Sequence, residues 1–175
     1  MGKLLVGDGK YMNTNVVNNV VRYITRTRPG EMRRGELRGY GALGIALYST
    51  PEQMIEQICY VQSLYGINQR GGRRIYHEFY RLSEEEEQFI GMNNRYLNMF
   101  ALECSQLYYS AGFQVVYAIH YDDKKRTHIH FCVSVINFYT GKKWHDYHSG
   151  VKEREAIFEA IGKKYQNMIV PIEWN

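Results

Sequence analysis

The feature that most constrains this chain is a pair of histidines inside an apolar, β-branched run. Residues 127–137 read THIHFCVSVIN, so one residue separates His128 from His130. Side chains alternate between the two faces of a strand, so both imidazoles point one way while Ile129 and Phe131 point the other. Burying an imidazole costs free energy unless it finds a partner. The run therefore predicts a strand with one core face and one face that carries polar chemistry.

A third histidine ends the preceding apolar run. His120 follows the predicted strand 114–119, and a polar hairpin loop at 121–127 leads into the histidine pair. In an antiparallel hairpin, His120 lies across from His128 and His130. Three neutral imidazole nitrogens cap one face of a divalent ion and leave its other positions open. We therefore predict that these three histidines bind a metal ion.

The rest of the chain predicts an α+β fold. Apolar residues at helical spacing and two capping boxes mark helices, and alternating runs mark strands. The predicted helices are 15–26, 50–66, 83–110 and 151–168, and the predicted strands are 3–6, 43–48, 74–81, 114–119 and 128–137. Residues 27–41, rich in glycine and arginine, are predicted to form a basic loop. We expect one domain over residues 1–175, with a mainly antiparallel sheet flanked by helices.

The charges of the chain are clustered. The net charge is +4, and 16 tyrosines accompany basic groups at residues 22–38, 70–74 and 124–126. Basic patches interleaved with aromatic residues suit a phosphate backbone and unstacked bases, although a solvated surface is the alternative explanation. The acidic run at 84–87 fits the positive end of a helix dipole better than a metal site.

Composition also argues against some classes of protein. No apolar run approaches the roughly 18 residues of a membrane span, so we expect no membrane partner. The three cysteines are widely spaced and odd in number, which indicates reduced thiols rather than a disulfide framework. The N-terminus is too polar for a signal peptide, so we expect a cytoplasmic protein.

Three segments together resemble the motifs of plasmid mobilisation relaxases, members of the HUH endonuclease superfamily. Residues 120–122 (HYD) and 127–131 (THIHF), with Asn137 and the following TGKK, are similar to the third relaxase motif. Residues 72–79 (GRRIYHEF) resemble the second motif, and residues 20–26 (VVRYITR) resemble the first, which carries the nucleophilic tyrosine. One departure is that Arg81 stands about where the family often has a DNA-contacting serine, and Ser83 lies two residues further on.

The resemblance implies an HUH-type fold and cleavage of single-stranded DNA. It implies that Tyr23 attacks a phosphodiester at an origin of transfer and forms a 5′-phosphotyrosine link. The expected ion is Mg²⁺ or Mn²⁺, although three imidazoles alone also suit Zn²⁺, Ni²⁺ or Co²⁺. Asp122 is predicted either to orient a histidine or to help deprotonate the tyrosine, and a solvated hairpin residue is the alternative.

The resemblance also implies partners. These are single-stranded DNA with an adjacent hairpin, accessory DNA-binding proteins and a coupling protein. The residues expected to contact DNA are Arg22, Arg26, Arg28, Arg33, Arg34, Arg73, Arg74, Lys124 and Lys142. His77 is predicted to support the site or to touch DNA, whereas His145 and His148 are predicted not to be ligands.

Tyr165 is the main competitor of Tyr23 as the nucleophile. Rolling-circle replication initiators and single-tyrosine transposases share the HUH core and carry their tyrosine on a helix after the histidine pair. Tyr165 lies on such a predicted helix, yet it also fits an apolar stripe with Ile157, Phe158 and Ile161. Tyr11 and Tyr40 fall in loop-like segments outside the motifs and are weaker candidates.

Two further interpretations come from other classes of protein. A DNA-binding module without chemistry gains little from an intact set of three histidines. A generic metal-dependent hydrolase does not explain the basic, tyrosine-rich segments. Both are therefore less favoured than a nickase.

Overall fold

A five-stranded antiparallel sheet lies at the centre of the described chain. The computed structural model describes residues 2–28, 36–122, 126–146 and 148–168. The strands are β1 (Lys3–Val6), β2 (Glu36–Leu43), β3 (Ile75–Arg81), β4 (Phe113–Tyr121) and β5 (Thr127–Asn137). Their order is β1-β3-β5-β4-β2, so β5 is central and β1 and β2 are the edge strands.

Helices cover both faces of the sheet. They are α1 (Val16–Ile24), α2 (Pro51–Leu64), α3 (Ile67–Arg70), α4 (Glu84–Glu86), α5 (Asn94–Ser110) and α6 (His148–Met168), with a π-helical turn at Glu87–Gly91. Buried residues of α1 and α2 pack on one face of the sheet, and those of α5 and α6 pack on the other. The predicted α+β class is confirmed. None of the described helices is long and apolar enough to cross a membrane.

The side chains of β5 divide between these two faces as the sequence predicts. Ile129, Phe131 and Val133 join the core beneath α5 and α6. Cys132 joins the core beneath α1 and α2, which is the face that also carries the histidines. Strand alternation thus separates the larger apolar core from the candidate site.

The register of β4 and β5 fixes where the histidines meet. His120 pairs with His128, and Ala118 pairs with His130. The predicted hairpin is therefore confirmed, although its loop residues 123–125 lie outside the described part of the chain.

Strand β2 is where the sequence prediction is wrong. Residues 36–43 pair along β4, whereas we expected a loop over 27–41 and a strand over 43–48. The glycines that suggested a loop instead make room for neighbouring side chains. A Cβ on Gly39 would meet the Asn98 amide at 2.6 Å, and one on Gly41 would meet the Tyr117 hydroxyl at 2.6 Å. Glycine in a strand often marks such a close approach.

The predicted long helix from 83 to 110 is interrupted. The Ser83–Glu86 capping box forms as predicted, but α4 gives way to the π-helical turn, and Asn93 caps a new helix, α5. The turn brings the Glu87 carboxylate to Thr127, where it accepts hydrogen bonds from the backbone N–H and the hydroxyl. The acidic run therefore also anchors the start of β5, one residue before His128.

A buried ion network holds α5 and α6 against β3. Glu78 is fully buried, and its Oε1 lies 2.5 Å from Arg154 Nη2. The same guanidinium nitrogen lies 2.6 Å from Asp146 Oδ2, and the Tyr108 hydroxyl donates to Glu78 Oε2 at 2.5 Å. Buried charges of this kind are tolerated only when they are paired and hydrogen-bonded.

Removing the cation of this network is expected to destabilise the fold strongly. Arg154→Met leaves Glu78 and Asp146 without their counter-charge, and we expect the free energy of unfolding to fall by about 3–5 kcal/mol. Lys164→Met is the matched control, because the Lys164–Glu103 pair is at the surface and is expected to contribute less than about 1 kcal/mol. Urea denaturation followed by circular dichroism measures both changes, and equal losses would contradict the argument.

Candidate active site

Three histidines converge on the α1 and α2 face of the sheet. Their possible ligand atoms, one from each of His120, His128 and His130, all lie within 4.8 Å of one another. The ring centroids are 4.6 Å apart for His120 and His130 and 4.9 Å apart for His128 and His130. The hairpin pairing of β4 and β5 brings them together, as the sequence predicts.

The hydrogen bonds of His120 identify which ring nitrogen carries its lone pair. Its Nε2 lies 2.6 Å from the carbonyl oxygen of Ile24, at the end of α1. A carbonyl oxygen only accepts, so Nε2 carries the hydrogen and the lone pair is on Nδ1. The Arg26 Nη2 donor lies 3.2 Å from that Nδ1.

His77 fixes the orientation of His130. Its Nε2 lies 2.9 Å from His130 Nδ1, whereas His130 Nε2 is buried and has no hydrogen-bond partner among the described residues. A buried N–H without a partner is costly, so the favourable tautomer places the hydrogen on His130 Nδ1 and leaves an Nε2 lone pair. His77 Nδ1 then donates to the Tyr11 hydroxyl, 3.3 Å away. The sequence left the role of His77 open and did not single out Tyr11 for this contact.

These residues fit a divalent cation. Metal ligation requires neutral imidazoles, and burial lowers the pKa of His120 to about 4 and that of His130 well below its usual range. Burial also lowers the pKa of His128. The three histidines therefore offer neutral imidazole nitrogens close together, and one of these nitrogens, His130 Nε2, is buried without a partner among the described residues. Such a set of nitrogen donors suits a divalent transition metal, including Mn²⁺. His120, His128 and His130 would hold the ion.

Tyr23 lies beside the three histidines. Its half-buried ring, near the end of α1, is centred 5.8 Å from the His130 ring and 6.4 Å from the His120 ring. The guanidinium carbons of Arg26 and Arg28 lie 5.5 Å and 5.9 Å from the centre of the Tyr23 ring. A phenol close to cations and imidazoles is well placed for attack on a phosphodiester.

A cavity of about 380 Å³ opens at this cluster. Its lining includes Tyr23, His77, His128, His130, Arg81 and Arg126. The two arginines were not among the predicted DNA-contacting residues. Arg81 pairs with His128 across β3 and β5. The sequence signals for it were its position on the second-motif strand and its place about where the family often has a DNA-contacting serine. The cavity thus combines a phenol, imidazoles and cations, which is the chemistry that phosphoryl transfer requires.

A comparison with a family model identifies the family of this chain. The model described as the nuclease domain of MobA/VirD2-like relaxases matches residues 23–167. The chain belongs to this relaxase family. Relaxase domains nick DNA, so this chain is a DNA nickase and DNA is its substrate class. No curated protein sequence matches the chain significantly.

Asp122 lies at the rim of the relaxase cavity. Its Oδ1 accepts a hydrogen bond from the Arg126 backbone N–H at 3.0 Å, and its Oδ2 lies 3.6 Å from Arg126 Nη2. Its negative charge opposes the stronger effect of burial on the pKa of His128. Asp122 therefore acts on one histidine electrostatically, and its two predicted catalytic roles stay predictions.

The residues predicted to contact DNA fall into several groups. Arg33, Arg34 and Lys124 lie outside the described residues. Arg22 forms an ion pair with Glu52, and Arg28 donates a hydrogen bond to the Asn19 carbonyl oxygen. The Arg73 guanidinium lies over the rings of Tyr11 and Tyr76. Lys142 is exposed. Arg74 is buried and donates to Asn68, which argues against its predicted contact with DNA. Arg26 lies against His120, as described above.

Tyr165 is far from this chemistry in the fold of the relaxase domain. It packs with Phe100 and Tyr96 in the core beneath α5 and α6, on the face of the sheet opposite the histidines. It is 4% exposed, and burial raises the pKa of its phenol. Ile157, predicted to share its apolar stripe, is instead exposed. These positions disfavour Tyr165 as the nucleophile.

Removing the acceptor on His77 is expected to weaken metal binding. In His77→Phe nothing accepts the hydrogen on His130 Nδ1, so we expect Co²⁺ affinity, measured by calorimetry, to fall about 10–100-fold. His77→Gln retains an acceptor oxygen and is expected to keep most of the affinity. The exposed His145 is the control, and a loss in His145→Ala as large as that in His77→Phe would contradict this assignment.

The metal-free protein is expected to lose stability in mild acid. Burial lowers the pKa of both His77 and His120 to about 4, whereas the unfolded chain protonates them near its reference pKa of about 6.5. Unfolding therefore takes up protons between these values, so stability falls as pH is lowered from about 6.5 to about 4. Urea midpoints measured after chelation should show a shallower fall in His77→Gln. An identical pH profile in that variant would refute the contribution of His77.

Proposed function

We propose that this relaxase domain cleaves and rejoins single-stranded DNA at an origin of transfer through a covalent 5′-phosphotyrosine on Tyr23. The observation that carries the proposal is the position of the Tyr23 ring, centred 5.8 Å from His130, 6.2 Å from His77 and 6.4 Å from His120. None of the other tyrosines among the described residues has ring contacts with three of these imidazoles. Membership of the relaxase family supports the same conclusion.

The reaction exchanges one phosphodiester for another. The Tyr23 oxygen loses its proton and forms a bond to phosphorus, the bond between phosphorus and the 3′-oxygen breaks, and the 3′-oxygen gains a proton. The 3′-hydroxyl reverses these steps when the strand is rejoined. No water is consumed, so the energy of the phosphodiester is conserved in the tyrosine link.

The side chains around Tyr23 have separate tasks. Arg81 and Arg126, on the cavity wall, bind the phosphates that flank the scissile bond. Asp122 takes up the tyrosine proton or orients His128, from its place at the rim of the cavity. His120, His128 and His130 would hold a divalent ion, Mg²⁺ or Mn²⁺, and that ion would supply Lewis-acid polarisation of the scissile phosphate.

The biological role follows from strand-specific nicking that conserves the energy of the phosphodiester bond. Such an enzyme starts the mobilisation of a plasmid or integrative element by conjugation. Its partners are then an origin with an adjacent hairpin, accessory DNA-binding proteins and a coupling protein, and its compartment is the cytoplasm. A replication initiator or transposase acting through Tyr165 lacks support, because Tyr165 is buried on the opposite face of the sheet.

The nucleophile assignment is tested by trapping the covalent adduct. Single-stranded oligonucleotides tiled across the DNA that neighbours the gene are mixed with protein and Mn²⁺, and adducts are resolved on denaturing gels. Tyr23→Phe is expected to abolish the adduct, because the variant has no attacking oxygen at this position. Tyr165→Phe is expected to retain it.

Tyr11→Phe is the matched control inside the cavity. The Tyr11 hydroxyl accepts from His77, and burial raises the pKa of Tyr11, which makes it a poor nucleophile. We expect its adduct to persist at reduced yield. Loss of the adduct only in Tyr165→Phe would move the protein to the replication-initiator class, and cleavage without any adduct would leave a metal-dependent hydrolase.

A further inference from the structure

We propose that the Arg26 guanidinium and the divalent cation compete for the same lone pair of His120. The guanidinium must therefore move away from His120 before the three histidines can bind the cation. This inference rests on the proposed function only in that the three histidines bind a cation. It assigns Arg26 a role in controlling cation binding at His120, in addition to its predicted contact with DNA.

The first argument is the hydrogen bonding of a single ring. His120 Nε2 donates to the Ile24 carbonyl oxygen at 2.6 Å, so Nδ1 is the one ligand-capable atom of His120. The Arg26 Nη2 donor already lies 3.2 Å from that Nδ1. One lone pair cannot accept an N–H and coordinate an ion at the same time.

The second argument is charge. The Arg26 guanidinium lies 3.2 Å from His120 Nδ1, and the candidate ligand atoms of the three histidines lie within 4.8 Å of one another. The same positive charge repels a divalent cation at the same nitrogens. With Arg26 in this position, the site is therefore poorly suited to a second positive group.

The third argument is that the Arg26 side chain is incompletely hydrogen-bonded. Its Nε is buried without a hydrogen-bond partner among the described residues. A guanidinium with an unpaired N–H gains hydrogen bonds by moving to a better acceptor, and a phosphate approaching the neighbouring Tyr23 offers anionic oxygens.

The consequence is coupling between cation and DNA. A phosphate that draws Arg26 away frees His120 Nδ1, so DNA binding raises the affinity for the cation. By linkage the cation raises the affinity for DNA by the same factor. The resting enzyme then holds its ion weakly until a DNA strand lies in the cavity.

Metal titration of the free protein tests the competition. Mn²⁺ is titrated into wild type and Arg26→Ala without DNA, and the free ion is followed by electron paramagnetic resonance. We expect Arg26→Ala to bind Mn²⁺ more tightly, by on the order of tenfold. A purely structural role for Arg26 predicts the opposite, because damage to the site weakens binding. Thermal melting of both proteins establishes that the variant is folded.

Arg28→Ala is the matched control, because Arg28 also lies by the Tyr23 ring but donates to the Asn19 carbonyl at 2.6 Å. If Mn²⁺ bound equally more tightly to both variants, the loss of any nearby positive charge would explain the effect. That result would overturn the competition for His120 Nδ1. Unchanged or weaker Mn²⁺ binding in Arg26→Ala would overturn it as well, while leaving the proposed nicking reaction intact. If neither wild type nor variant bound Mn²⁺, the metal part of the proposed function would fail together with this inference.

The coupling is measured in a Tyr23→Phe background, which cannot form the adduct. The oligonucleotide that gives an adduct with wild type is added at saturation, and the Mn²⁺ titration is repeated. We expect DNA to tighten Mn²⁺ binding more when Arg26 is present than in the double variant with Arg26→Ala. Equal tightening in the two backgrounds would show that Arg26 does not link the two ligands.

Discussion

The pairing of β4 with β5 is the constraint on which both the core and the candidate site depend. Because His120 lies opposite His128, all three histidines reach one face of the sheet, while Ile129 and Phe131 fill the core on the other. A slip of one residue would exchange the two faces, placing imidazoles in the apolar core and apolar side chains at the site. The burial energy of the core therefore enforces the geometry of the histidines.

Buried imidazoles need partners, and their partners decide what the site can do. A backbone carbonyl holds one nitrogen of His120, and His77 holds one nitrogen of His130. Each ring is thereby left with a single lone pair that faces the cluster. The two lone pairs differ in their surroundings. The lone pair of His120 accepts from Arg26, whereas the lone pair of His130 has no hydrogen-bond partner among the described residues. The hydrogen-bond partners that make burial of these imidazoles tolerable therefore also orient the ring nitrogens that can bind a cation.

The sequence predicts the parts of this design that depend on local periodicity. Alternation along β5 and the short hairpin are properties of neighbouring residues, and both were predicted correctly. The contacts of His77 and Arg26 were not, because they join β5 and β4 to residues brought from β3 and from the end of α1. Strand β2 was missed for a related reason. Its glycines resemble a loop locally, and only the packing of Asn98 and Tyr117 against them explains why a strand needs them.

The two faces of β3 connect stability to chemistry. His77 and Glu78 are successive residues, so one points into the site and the other into the ion network with Arg154. That network holds α5 and α6 against the back of the strand, and the strand in turn presents His77 to His130. A rigid back surface limits how far His77 can shift, and the tautomer of His130 depends on that position. The buried charges behind the sheet therefore serve the site in front of it, although none of them touches the cavity at Tyr23.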